Sequence, residues 1–138
     1  MRTIIILVAF ISIFDAEAQQ KKSIFIIDRI QVPTEKREEA IYYYENNWKL
    51  YRDVALEKGA IHSYRFLEVE SKSTAHFEFL LITEFSDSTQ FDAVETNFEP
   101  IMRKVRPDGP VLLDEVQPSE FRKIISNDLA RGLFQPDQ

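Results

Sequence analysis

The sequence predicts a small α+β domain built around an antiparallel sheet. Its 138 residues give room for one domain. Segments rich in β-branched and aromatic residues and segments of helical apolar spacing follow one another in the order strand, helix, two strands, helix, strand. Turn-forming residues mark the joins, with Pro33 and Gly59 in the first half and Pro107-Asp108-Gly109-Pro110 in the second.

The chain opens with Met1-Arg2-Thr3, an apolar run from Ile4 to Phe14, and Ala16-Glu17-Ala18 ahead of Gln19. A basic start, an apolar centre and a small-x-small site form the layout of a secretion signal. The apolar run is shorter than the roughly 20 residues that cross a bilayer. Residues 1–18 are therefore expected to be a signal peptide, its removal leaving no stable membrane anchor and a secreted or periplasmic product. Cysteine is absent, which excludes disulfide staples, thiolate metal sites and a cysteine nucleophile. The core alone must hold the fold, and 44% hydrophobic and 12% aromatic residues suffice for it. A formal charge of −6 speaks against nucleic acid and anionic membrane surfaces as partners.

Ser23 to Val32 is rich in β-branched and aromatic residues and stops at Pro33, as a strand does. Thr34 has the chemistry of a helix cap, and Glu35 suits the first turn. Helical spacing then runs to Lys58, with Ala40, Tyr44, Tyr51 and Ala55 on one face flanked by Ile41, Trp48 and Val54. Gly59 suits the left-handed position past a helix end. His62 to Glu70 and His76 to Phe85 read as a hairpin joined by a short polar linker. Asp87 with Gln90 has a capping-box pattern, and Phe91, Val94, Phe98, Met102 and Val105 mark a second buried helical stripe, with a kink or restart expected at Pro100. Val111 to Val116 is apolar without a clear conformation. Phe121 to Ser126 is the expected last strand, closing a domain over 19–126 ahead of a C-terminal tail over 127–138. The order β-α-β-β-α-β, with the helices on one face of the sheet, is the ferredoxin-like layout.

Helices on one face leave the other sheet face open, yet Ile24 to Ile27 and Phe79 to Ile82 put large apolar groups on both sides of their strands. Burying each such side chain is worth roughly 1.5–3 kcal/mol, so a homodimer through the open sheet face is expected. Together with Glu57-Lys58-Gly59-Ala60-Ile61-His62-Ser63-Tyr64 and the Phe-rich hairpin strand, the element order resembles the dimeric α/β-barrel superfamily, which includes antibiotic-biosynthesis monooxygenases. The resemblance covers about Ser23 to Ser126. It implies two sheets packed face to face and a pocket between each sheet and its helices.

Few residues offer chemistry. With the hairpin turning about Ser73, His62 falls opposite Glu84, with Tyr64 on the same face, a usable acid–base set; the bland alternative is an exposed cross-strand pair. His62 and His76 fall at opposite ends of the hairpin, too far apart to share a metal. Tyr44, Trp48 and Tyr51 on the inward helix face either line a pocket for a ligand or fill the core, and Arg65 pairs with an acidic ligand or with Glu68. Haem-degrading relatives carry their haem-ligating histidine on the second helix, which has none here, and no glycine loop or nucleophile elbow is present, so no cofactor is expected. Two functions follow as expectations. One is an exported homodimer binding a small, partly apolar molecule. The other is a cofactor-independent enzyme of monooxygenase or isomerase type using His62, Glu84 and Tyr64.

Overall fold

The computed structural model describes residues 22–70 and 72–134, so the expected signal peptide lies outside the described residues. Four strands form one sheet: β1 (Ile24–Pro33), β2 (Ser63–Val69), β3 (His76–Phe85) and β4 (Lys123–Arg131). Their order is β2-β3-β1-β4, and every neighbouring pair is antiparallel. The result is a mixed α+β domain with an open four-stranded sheet, compatible with the ferredoxin-like layout. No helix among the described residues is long and apolar enough to cross a membrane.

The first long helical stretch is three pieces end to end. α1 (Arg37–Tyr43) passes into a π-turn over Tyr44–Trp48, and α2 (Lys49–Glu57) continues from it. Thr34 does not cap this stretch. It sits in a 3₁₀ turn, and its hydroxyl donates instead to the carbonyl of Thr74 at 2.9 Å. Gly59 follows at φ +67°, the left-handed conformation expected past a helix end. The second helical stretch is capped as expected, the Asp87 carboxylate accepting from the backbone N–H of Gln90 at 2.9 Å. It breaks at Ala93 rather than at Pro100, giving α3 (Ser88–Asp92) and α4 (Val94–Val105). Phe98 and Ile101 are its buried residues, while Met102 points outward.

The last strand begins later and runs further than expected. α5 (Pro118–Phe121), with proline in its first turn, takes up the start of the expected strand and buries Phe121. β4 then extends through Asn127, Asp128 and Leu129 to Arg131, pairing with β1 across residues expected to be tail. A shift in pairing between Arg29 and Ile30 absorbs the irregularity near its start. Its polar residues hid the strand, since backbone pairing rather than side-chain burial holds it.

Burial alternates strictly along β3, with Phe77, Phe79, Leu81, Thr83 and Phe85 facing the helices. The helix-side core forms two apolar clusters. One gathers Tyr44, Trp48, Phe79 and Phe121 against Ile30 and Val32. The other gathers Ile24, Ala55, Phe85, Phe98 and Ile101. Buried Asn47 ties the segment after α4 to the π-turn. Its amide donates to the carbonyls of Tyr43 (2.8 Å) and Val111 (2.9 Å), and its oxygen accepts from the Val111 N–H at 2.9 Å. Replacing Asn47 with alanine strands both Val111 backbone groups, so the expected loss in chemical denaturation is about 2–3 kcal/mol.

Candidate functional site

On the helix-facing side, the apolar pattern of each central strand breaks once. β1 presents Ile24, Ile26, Asp28, Ile30 and Val32, and β3 presents Thr83 between Leu81 and Phe85. β2 sets Tyr64 beside Thr83, and β4 sets Asn127 beside Asp28. Tyr64, Thr83, Asp28 and Asn127 therefore make a polar band across all four strands. The band separates the two apolar clusters. The side-chain amide of Asn127 donates to the Asp28 carboxylate.

Arg52 descends onto this band from α2. Its guanidinium carbon lies 4.5 Å from the centre of the Trp48 ring and 4.8 Å from that of Phe98, within the range of cation–π attraction to both. Its Nε donates to the Thr83 hydroxyl at 3.3 Å. Burial pulls its pKa down to about 10, with the charge of Asp28 opposing, so the group stays cationic at neutral pH. Among the described residues Arg52 belongs to no ion pair. Beside it Trp48 is 8% exposed, and its indole Nε1–H is buried without a hydrogen-bond partner.

The band is closed at its β2 end and open at its β4 end. At the closed end the Tyr64 hydroxyl donates to Asp53, which also pairs with Lys49 at 2.7 Å. At the open end the helix-facing residues of β4 stay uncovered: Leu129 is 53% and Ile124 58% exposed. Solvent thus reaches the band from the β4 side.

The hairpin register places the expected residues differently from the sequence reading. Ser63, not His62, stands opposite Glu84, and its hydroxyl donates to the Glu84 carboxylate at 2.6 Å. His62 is exposed just ahead of β2, where its backbone N–H donates to the Glu84 carbonyl at 2.8 Å. The expected His62–Glu84 pair is thereby corrected. The strands align one residue away from the assumed turn, and a shift of one residue exchanges the faces. Tyr64 points toward the helices, so His62, Glu84 and Tyr64 do not converge. The two histidines do lie at opposite ends of the hairpin.

Tyr44 and Trp48 sit in an aromatic stack with Phe66 and Phe79, and Arg122 donates to the Tyr44 hydroxyl at 3.1 Å. Tyr51 packs half-buried against the second cluster. Arg65 faces the open side of the sheet with Glu84 and Ser63, beside a groove of about 560 Å³ floored by Phe25, Ile27 and Ile82. Among the described residues no three acidic or histidine side chains cluster as metal ligands do.

Sequence reasoning missed Arg52, Asp28, Thr83 and Asn127. Two signals pointed to them: a charged residue inside SIFIIDRIQV, and a threonine inside the Phe-rich strand. Arg52 itself was hidden, because an unbroken helix turns Tyr51 inward. The π-turn adds one residue to the helical phase and brings Arg52 inward instead. No family model matches this sequence, and no curated protein matches it either.

Burial raises the Asp53 carboxyl, but the hydrogen bonds from Lys49 and Tyr64 outweigh it and hold the group below its ordinary value of 3.8. A lowered folded-state pKa adds stability that is present above the unfolded value and lost as the pH falls through the folded one. Tyr64→Phe should therefore lower stability at neutral pH and show a shallower decline on acidification below about pH 4. Thermal melts of both proteins from pH 6 to 3 check this; identical acid limbs would remove the Tyr64–Asp53 contribution.

Proposed function

We propose that the chain is an exported, homodimeric binding module of the dimeric α/β-barrel kind, holding a small, partly apolar molecule between helix layer and sheet. The observation that carries this reading is the polar band under Arg52, in a layer that is otherwise apolar and is open at β4. A cation half-buried among aromatic rings and left without a carboxylate costs free energy, and so does a buried indole N–H without a partner. Such costs concentrate where a site is held ready for a ligand. The rings of Trp48 and Phe98 and the rim at Leu129 supply apolar contact, while the band supplies the few polar groups that orient a guest.

The acid–base reading needed His62, Glu84 and Tyr64 to meet, and their placement on different faces gives it no support. Dimerisation is favoured by the open sheet face, where Phe25, Ile27, Leu80 and Ile82 share one side with Leu67, which is 42% exposed. A second copy laid on that face removes this apolar surface from water and leaves the Arg52 cleft, on the other side of the sheet, free for a ligand.

Trp48 is the chain's single tryptophan, so its fluorescence reports on the cleft. Titration with 1-octanol, an uncharged amphiphile, should shift that emission saturably, and Leu129→Glu on the exposed rim should weaken the effect about tenfold. Linear, unsaturable change in the native protein would end the binding reading. For the dimer, Leu80 faces the open side and Leu81 the core. Sedimentation should show Leu80→Asp as a folded monomer, whereas Leu81→Asp should fail to fold. A Leu80→Asp protein that remains dimeric would contradict the proposed interface.

A further inference from the structure

We infer that the ligand of this cleft carries a carboxylate, and that the Arg52 guanidinium is the group that recognises it. The inference rests on the binding reading above and goes on to name the chemical class of the guest. Four features of the site bear on it.

The first is donor surplus. Arg52 offers five N–H groups in a planar fork, and the structure employs its Nε on Thr83. The indole N–H of Trp48, one helical turn away, is a further donor with no acceptor. A guest that completes this site must bring acceptors, and a carboxylate brings two oxygens in the spacing that matches the guanidinium fork.

The second is how the cation is held. Trp48 and Phe98 contact the guanidinium at 4.5 and 4.8 Å, fixing its place without consuming its hydrogen-bonding edge. Arg29 and Arg37 are used differently, each meeting a glutamate at 2.7 Å on the surface. Arg52 alone among these three is half-buried between two aromatic rings, where a charge-assisted bond is stronger than on the open surface.

The third is the acid nearby. Asp28 attracts Arg52 from beyond ion-pair distance and is itself bound by the Asn127 amide. It offsets part of the cost of burying the cation and competes with an incoming anion. Removing its charge should therefore tighten binding of an anionic guest, opposite to the effect expected if Asp28 were itself the ligand-binding group.

The fourth is access. The band opens at β4, and the residues on that side, Leu129 and Ile124, are apolar and exposed. A guest with a carboxylate head and an apolar body can place its head at Arg52 and its body along this rim.

The test compares octanoate with 1-octanol, equal in chain length and different in charge, by Trp48 fluorescence on the full folded protein at neutral pH. Octanoate should bind about tenfold more tightly than octanol. Arg52→Met should erase the difference between the two probes when both are measured on that variant. Asp28→Asn should tighten octanoate severalfold relative to octanol measured on the same variant, and it serves as the second variant if Arg52→Met fails to fold. Equal affinity for the two probes in the native protein would overturn the carboxylate inference and leave the binding site standing. Saturable binding of neither probe would overturn the site itself and the inference with it. Weaker octanoate binding in Asp28→Asn would reverse the assigned roles of Asp28 and Arg52.

Discussion

The helix layer must present side chains that match the sheet beneath it, and one extra residue in the π-turn at Tyr44–Trp48 sets how it does so. Before the turn, Ala40 and Tyr44 face the strands. After it, the phase has advanced by one position, and Trp48, Arg52 and Ala55 follow. An uninterrupted α-helix puts Tyr51 within about 20° of the Tyr44 direction and swings Arg52 about 80° from it, toward the flank of the helix. The turn also buries Asn47, whose side-chain oxygen accepts from Arg106 and from the Val111 N–H while its amide donates to the Val111 carbonyl. One local departure from regular hydrogen bonding thus fixes both the contents of the cleft and the path of the chain behind it.

The sheet is divided in function between its faces. On the helix side, two apolar clusters supply the stability, and the band between them holds polar groups that stability alone would not select. On the open side, Arg65 and Glu84 sit beside an apolar floor. The sequence groups Glu84 with His62 and Tyr64, and Arg65 with Tyr44, Trp48 and Tyr51, but the pleat sends Glu84 and Arg65 to the face opposite Tyr64. The alternation of strands makes that separation strict, so no rotamer change reunites them.

Much of the architecture was legible in the sequence because hydrophobic period and turn chemistry agree for most of the chain. β1, the hairpin, the Asp87 cap and Gly59 all follow from residues whose local preferences match their final place. The failures have specific causes. β4 carries Ser126, Asn127 and Asp128, which have poor strand propensity, and it forms because β1 offers a free edge. The segment from Val111 to Val116 has no period, and the side chain of Asn47, 64 residues earlier, holds its start. The His62–Glu84 pairing depended on a turn position that propensity does not determine. The cleft was half legible: Trp48 was identified, and the arginine beside it was hidden by a helical phase that no composition rule reports.

β4 joins the domain through a single ladder to β1, and most of its side chains are exposed on both faces. It therefore has little burial to lose, and its release leaves both apolar clusters intact. Local opening of that kind is governed by a handful of backbone bonds rather than by the global folding free energy. Asn127 and Leu129 stand on the helix side of this strand beside Asp28 and Ile26, so its fraying uncovers that end of the polar band. The sheet thus divides into a part locked into the core and an edge strand that can open without unfolding it.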